Sequence, residues 1–423
     1  MSELTITRVW SREVLDSRGN PTVEAQVETD AVLVTAIAPS GASTGTFEAL
    51  ELRDGDARYG GKDVQKAVRN VRELISPRLK GMDVSDLKAI DAAMIELDGT
   101  GNMSRLGGNA TTAVSYAAAK AGAILKGIEL HEHLGSTSKV LPVPCMNVIN
   151  GGKHAGSNLK IQEFMIVPCG VPSFSESLRV GTEVYQSLKG VLKKSMGPMS
   201  INVGDEGGFA PAFDTSRQAM DVLLKAIEAA GYAPGKEVYL AMDAAASEFY
   251  SKGVYELDGR KMSSGEIVDF YVSLSKEYPL ISLEDPVQEE GFQDMAELTA
   301  KVGGRMQLVG DDLFVTNPQR LRKGIDSKAG NAMLLKVNQI GTVSEAMRAA
   351  EICFDHGYNV MVSHRSGESE DTTIADIAVA LECGQIKSGA PARTERTAKY
   401  NRLLRIEENL GSKAKFKGRG AFF

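Results

Sequence analysis

The stretch LISLEDP, Leu280 to Pro286, decides how this chain is read. Three apolar residues and a serine end abruptly in two acids and a proline. Such a run is too short for a helix and is closed by a turn signal, so it reads as a buried strand with charge at its tip. The same figure recurs along the chain. VYLAMD ends at Asp243, MQLVGDD at Asp311, and AMLLKVN carries Lys336 near its end. NVMVSHRS leads to His364, Arg365 and Ser366, and GQIKSG holds Lys387. From Asp243 the steps to the next marker are 41, 27, 25, 28 and 23 residues. About 25 residues accommodate one strand, one helix and two loops. Helical stretches lie between the runs, for example Thr342 to Asp355 and Asp371 to Glu382. Strand, chemical group, helix, repeated, is the pattern of a βα barrel whose site lies at the C-terminal strand ends. One run breaks the rule. In QEFMIVP the polar Gln162 and Glu163 precede the apolar residues. If Glu163 shares the mouth, that strand runs the other way and the barrel starts irregularly.

Upstream the chain has a different texture. VEAQVET (Val23 to Thr29) and AVLVTAIAP (Ala31 to Pro39) look like strands. Helical spacing at Val64, Val68, Val71, Leu74 and Ile75 predicts a helix stopping at Pro77. A second, through Leu87, Ile90, Met94 and Leu97, stops at Asp98-Gly99, and alanine-rich Asn109 to Lys126 is a third. SGASTG, Ser40 to Gly45, is a small-residue loop suited to be a lid. A boundary near Gly135 to Ser138 divides an α+β domain, residues 1–135, from a barrel domain, residues 139–423.

Composition narrows the function. The 423 residues are 43% hydrophobic and 24% charged, as in ordinary globular proteins, with a formal net charge of −7. That balance argues against nucleic acid as a partner, because phosphate backbones want a basic surface. No apolar run has the length of a membrane span, and the opening MSELTITRVW lacks a signal-peptide core. Cys145, Cys169, Cys353 and Cys383 have neither metal nor redox spacing and read as buried, reduced thiols of a cytosolic protein. With five histidines and no Cys/His cluster, a zinc site is not expected.

The strand tips carry the chemistry. Asp243, Glu284 and Asp311 offer three carboxylates without imidazole or thiolate, which selects a hard cation, Mg²⁺. Any one of them could instead cap the following helix. Lys336, inside an apolar run, is either an ion-pair partner or a functional amine. Near a divalent cation its pKa should fall, making it a general base. Arg365, Ser366 and Lys387 suit an anion such as phosphate, or they balance the carboxylates, a reading that stays more open for Lys387 than for Arg365. NVGDEGGFAP, Asn202 to Pro211, sets Glu206 in a glycine frame. Alone it would pass for a solvated turn. In a mouth that already holds a base, Glu206 becomes a candidate acid, with Glu163 beside it raising its pKa by like-charge repulsion.

At this point the chain resembles the enolase family. The likeness runs from REVLDSRGNPTVE (Arg12 to Glu24) to KSGAPARTERTAKYNRLLRIEE (Lys387 to Glu408). Between them, in order, stand PSGASTG, MNVINGGKHAG, QEFMIVP, NVGDEGGFAP, SLEDP, VGDDLFVTN, LLKVNQIGT and SHRSGESEDTTIAD. The resemblance implies an α+β N-terminal domain followed by an irregular ββαα(βα)₆ barrel. It implies reversible dehydration of 2-phosphoglycerate to phosphoenolpyruvate, in glycolysis and gluconeogenesis. It implies two Mg²⁺ ions per site, the second arriving with substrate, that stabilise a doubly charged enediolate. Enolase-superfamily sites are a worked example of a Lys or His base with Mg²⁺. Motif by motif, Asp243, Glu284 and Asp311 match ligands of the first ion, and Ser43 a ligand of the second. Lys336 matches the base and Glu206 the acid, with Glu163 and Gln162 nearby. His154, His364, Arg365, Ser366 and Lys387 match substrate contacts. The family assembles as homodimers, sometimes as octamers. Departures, VQEEGFQDM after EDP and LGGNATTAVSYA, touch no matched site position.

Two other readings stay open on the residues. One is a metal-dependent enolising enzyme acting on a non-phosphorylated acid, which Arg365-Ser366 and the SGASTG loop count against. The other is a catalytically silent interaction protein, which would be expected to lack a metal carboxylate or Lys336.

Overall fold

A three-stranded antiparallel sheet opens the fold, in the order β1 (Arg8–Leu15), β2 (Pro21–Glu28) and β3 (Leu33–Ile37). The computed structural model describes residues 3–41, 47–135, 139–152 and 158–423. The alanine-rich helix Gly108–Lys126 packs on β2 and β3. Its small side chains allow close approach, and most of its residues are buried. Helix Leu87–Asp98 stops at Gly99, whose φ of 66° is the left-handed cap a glycine supplies without strain. The helix expected to stop at Pro77 instead continues to Leu79, through Gln65–Asn70, Val71–Ile75 and Ser76–Leu79. Its middle segment is a π-helical turn. That wider turn carries the chain past a proline with no N–H to give and a ring that crowds the preceding turn.

The barrel has eight strands. They are β4 (Val143–Asn150), β5 (Glu163–Val167), β6 (Tyr239–Asp243), β7 (Leu280–Glu284), β8 (Gln307–Gly310), β9 (Ala332–Leu335), β10 (Asn359–Ser363) and β11 (Gln385–Lys387). Closure follows β7-β8-β9-β10-β11-β4-β5-β6 and back to β7. β5 pairs antiparallel with both neighbours, and the remaining pairs are parallel. Two helices, Phe174–Met196 and Ser216–Ala229, separate β5 from β6. From β6 onward each strand is followed by a helix, from Ser264–Glu277 to Thr394–Leu410. The architecture is therefore ββαα(βα)₆. The long step after Asp243 holds a small antiparallel sheet, Tyr250–Ser251, Val254–Leu257 and Arg260–Met262, ahead of its helix.

Strands covered on both faces read as continuous apolar runs, and β5 and β7 are buried throughout. One core lies inside the barrel, where Val143, Met165, Ala241, Ile281, Val309, Leu334 and Met361 meet. The other fills the space between barrel and helices. Gln307 and Gln385 exchange amide hydrogen bonds of 2.7 Å inside the barrel, and Gln385 also donates to the carbonyl of Ala421. The chain's last turn thus closes the end opposite the mouth. The four cysteines are buried and free. Among the described residues no helix is long and apolar enough to cross a membrane.

Candidate active site

Strand register lines up the acids. Glu163, the first residue of β5, is the Cα partner of Asp243, the last of β6, and Asp243 is the partner of Glu284, the last of β7. On the other side of the barrel Ser363 pairs with Lys387. The following helices begin at Ser264, Phe292 and Pro318 and are preceded by Ser263, Gly291 and Asn317. The strand-tip acids cap none of them.

Lys387 gathers three of these carboxylates. Its Nζ lies 2.9 Å from Asp243 Oδ2, 2.9 Å from Glu284 Oε2 and 3.2 Å from Glu163 Oε2. Burial works to lower its pKa, but Asp243, Glu163 and Glu284 outweigh it and hold the ammonium form far above its ordinary range. Charge balance is thus a real part of what Lys387 does. Lys336 contacts Asp311 Oδ2, while Asp311 Oδ1 accepts from Gln339 Nε2 at 2.8 Å. The fall in pKa expected for Lys336 belongs to a site with a divalent cation beside it; the protein's own side chains act the other way. Burial is the largest single influence and pushes it down, but Asp311 and Glu284 act against it and the pKa is raised. Arg365 and Lys387 add to the lowering side. Asp311 is the leading influence on the raising side.

The cleft at this mouth is lined among the described residues by six carboxylates and three side-chain cations. That excess of buried negative charge shows in the acids. Burial first, then neighbouring carboxylates, hold Glu163, Glu284 and Asp285 well above the ordinary range. Asp312 is raised to about 7 by burial and by Asp311. Asp285 fixes the loop by accepting from the backbone N–H of Asp311 at 2.9 Å and of Asp312 at 2.7 Å. The donor set fits a hard divalent cation. It is all oxygen, and Glu284 Oε1 is buried with no hydrogen-bond partner among the described residues. At this mouth, among the described residues, the carboxylates close enough together to share one ion are Asp285, Asp311 and Asp312. Asp243 and Glu284 meet at Lys387 instead.

Glu206 lines the same cleft, 2% exposed. Its Oε2 accepts from Asn147 Nδ2 at 3.0 Å and lies 3.4 Å from His364 Nε2. Its like-charge neighbour is Glu163, whose pKa is raised by burial and then by Glu206. The glycine frame has a steric cause. Gly207 has φ +85°, and a Cβ on Gly208 would sit 2.0 Å from Asn150 Oδ1. The loop is a fitted wall, not a solvated turn. Gln162 reaches Asp243 Oδ2 at 3.5 Å.

Arg365 donates to Glu48 Oε2 at 2.9 Å and Oε1 at 3.3 Å, and to Asn338 Oδ1 at 3.1 Å. Ser366 and His364 line the cleft beside it. Ser40, at the near end of the small-residue loop, exchanges backbone hydrogen bonds of 2.7 and 2.8 Å with Gly367. Ser43, most of the SGASTG lid, and His154 lie outside the described residues. The structure thus brings together Gln162, Glu163, Glu206, Asp243, Asp311, Lys336, His364, Arg365, Ser366 and Lys387, with Glu284 joined through Lys387. Sequence reasoning missed Glu48, Asn147, Asp285, Gln339 and Arg396. All but Glu48 stand inside the quoted motifs, so the signal was present without a role attached.

Comparison with known proteins agrees with this geometry. The family description "Enolase, N-terminal domain" matches residues 6–134, and "Enolase, C-terminal TIM barrel domain" matches residues 138–422. The chain is 59% identical over 422 residues to an enolase of Methanopyrus kandleri, covering 99% of each. It is 58% identical to an enolase of Methanocaldococcus jannaschii, covering 98% of this chain and 97% of the relative. For an enolase of Thermococcus gammatolerans the identity is 55%, with the same shares.

Proposed function

The chain belongs to the enolase family and catalyses the reversible dehydration of 2-phosphoglycerate to phosphoenolpyruvate, and from that premise we propose how its residues share the reaction. Lys336 takes the proton from C2. Glu206, protonated, gives its proton to the departing 3-hydroxyl. One observation carries this division: one cleft is lined by a lysine paired with Asp311 and by a carboxyl with a like-charge neighbour. The neutral amine that abstraction needs is favoured by burial, Arg365 and Lys387 and opposed chiefly by Asp311. Glu163 shares the acid's burden, since two carboxylates packed together do not both ionise readily. Arg365, Ser366, His364 and Lys387, with His154, bind the substrate's anionic groups. Gln162 stands beside Asp243.

Asp243, Glu284 and Asp311 would hold Mg²⁺, and Ser43 a second ion arriving with substrate. Bound there, Mg²⁺ supplies positive charge for the carboxylate of the substrate as its C2 proton leaves. The oxygen-only donor set supports this, as does Glu284 Oε1, which has no hydrogen-bond partner among the described residues. A capping domain of residues 1–135 and a barrel domain of 139–423 are supported by the two family matches meeting between 134 and 138. Kinship supports a cytosolic homodimer, with the octamer as the family's larger form. Full-length likeness to enolases removes the ground for an enolising enzyme of other acids or a silent scaffold. The test is growth of phosphoenolpyruvate absorbance from 2-phosphoglycerate with Mg²⁺, repeated with chelator. Turnover that survives complete chelation would contradict the metal assignment.

A further inference from the structure

Arg396 lies on the helix Thr394–Leu410 and is fully buried, 0% exposed. Its guanidinium reaches the wall of the cleft and ties two loops together. Nη1 donates to the carbonyl of Arg365 at 2.6 Å and lies 2.6 Å from Nδ1 of His364. Nη2 donates to the carbonyls of Ser366 at 2.6 Å and Asp205 at 3.2 Å. A guanidinium carries only N–H groups and accepts nothing. Nδ1 of His364 must therefore be the acceptor. His364 is itself buried, and burial, helped by Arg396 and opposed by Glu206, pushes its pKa down to about 4. A neutral imidazole has one ring proton, and the partner of one nitrogen decides where it goes.

We propose that Arg396 is a positioning residue for the dehydration step: by donating to Nδ1 of His364 it confines the ring proton to Nε2 and turns that N–H toward Glu206. Nε2 is buried, has no hydrogen-bond partner among the described residues, and lies 3.4 Å from Glu206 Oε2. The same Oε2 accepts from Asn147 Nδ2 at 3.0 Å. An Nε2–H facing an oxygen that already accepts from Asn147 disfavours a proton on that oxygen. The proton that Glu206 gives up is then held on Oε1. With the other tautomer, a lone pair on Nε2 would face Oε2 and would draw the acid's proton to that oxygen instead. Arg396 touches none of the reacting atoms and acts through His364.

The inference rests on the role of Glu206 proposed above, so the experiment has an arm that assumes no roles. Protein labelled with ¹⁵N-histidine is examined by long-range ¹H–¹⁵N correlation at neutral pH, and His364 is identified by its loss in His364→Gln. The expected spectrum shows a neutral ring protonated on Nε2; a His364 protonated on Nδ1 overturns the inference, whatever Glu206 does. In Arg396→Met the ring is expected to populate both tautomers. Turnover falls roughly 10²-fold, the scale of a lost acid, while exchange of the C2 proton with solvent deuterium stays near the parent rate. Arg396→Lys keeps one donor and restores the Nε2 form and part of the turnover. Parent-like turnover in Arg396→Met also overturns the inference. If that variant does not fold, the parent spectrum and Arg396→Lys decide. Failure of the underlying reading would appear instead in the exchange behaviour of Glu206→Gln.

Discussion

Glu163 and Asp243 are Cα partners across an antiparallel ladder in a barrel whose other strands, apart from the β4–β5 pair, run parallel. Had β5 run with its neighbours, Val167 would stand at the mouth and Glu163 at the far end. Reversing one strand therefore adds a carboxylate to a row that already holds Asp243 and Glu284. The contribution of Asp243 to the raised pKa of Glu163, and the contact of Glu163 with Lys387, follow from that register.

Lys387 is the counter-charge of that row. Lys387→Met should destabilise the metal-free protein by about 3–5 kcal/mol, the cost of leaving buried charges without their partner. Added Mg²⁺ should recover part of the loss, because an ion that binds only the folded state stabilises it. Thermal melts in chelator and in Mg²⁺ check this. An equal loss in both conditions would mean that the carboxylates gathered by Lys387 do not bind the ion.

Asp311 is placed to serve either Lys336 or a cation. Asp311→Asn removes one full charge from an all-oxygen set, so the Mg²⁺ concentration for half-maximal rate should rise on the order of tenfold or more. Titrating the rate with Mg²⁺ gives the answer. An unchanged midpoint would remove Asp311 from the ligand set.

Asp91, away from the cleft, tests burial alone. It lies on the helix Leu87–Asp98, fully buried, with Oδ2 accepting from the Ser344 N–H at 2.9 Å. Burial raises its pKa from 3.8 to about 6. A carboxyl whose folded pKa lies above its unfolded value favours the protonated folded state. Its penalty is thus absent below about pH 4 and complete above about pH 6. Asp91→Asn cannot ionise, so its stability relative to the parent should improve by about 3 kcal/mol across that window. Denaturant melts at pH 4 and pH 7 measure the change. A flat difference would show that Asp91 is not strained by ionisation.

Much of this molecule was legible in the sequence, for identifiable reasons. Strand tips at Asp243 and Glu284 could be read because buried strands end where charge begins, and β6 and β7 end on those residues. The reversed β5 was legible because its polar residues precede its apolar ones. β1, Arg8–Leu15, escaped notice because charged and apolar residues are mixed along RVWSREVL, with no strict alternation. The helix through Pro77 was cut short because a π-helical turn leaves no sequence signal. At the site, side chains with their own chemistry were found, whereas residues that act by holding others were not. Gln339, Asn147 and Arg396 look ordinary until Asp311, Glu206 and His364 are seen against them. The pairing of Lys336 with Asp311 was missed for the same reason: spacing alone did not show that the two would meet.

The central claim is that Lys336 and Glu206 act on different bonds of one substrate. Exchange of the C2 proton of 2-phosphoglycerate with solvent deuterium, followed by NMR alongside turnover, reads the two steps separately. Lys336→Ala should abolish exchange and turnover together, because no base remains. Glu206→Gln should keep measurable exchange while turnover falls on the order of 10²-fold or more, because only departure of the hydroxyl is impaired. Loss of exchange in both variants, with substrate still bound, would contradict the division of roles.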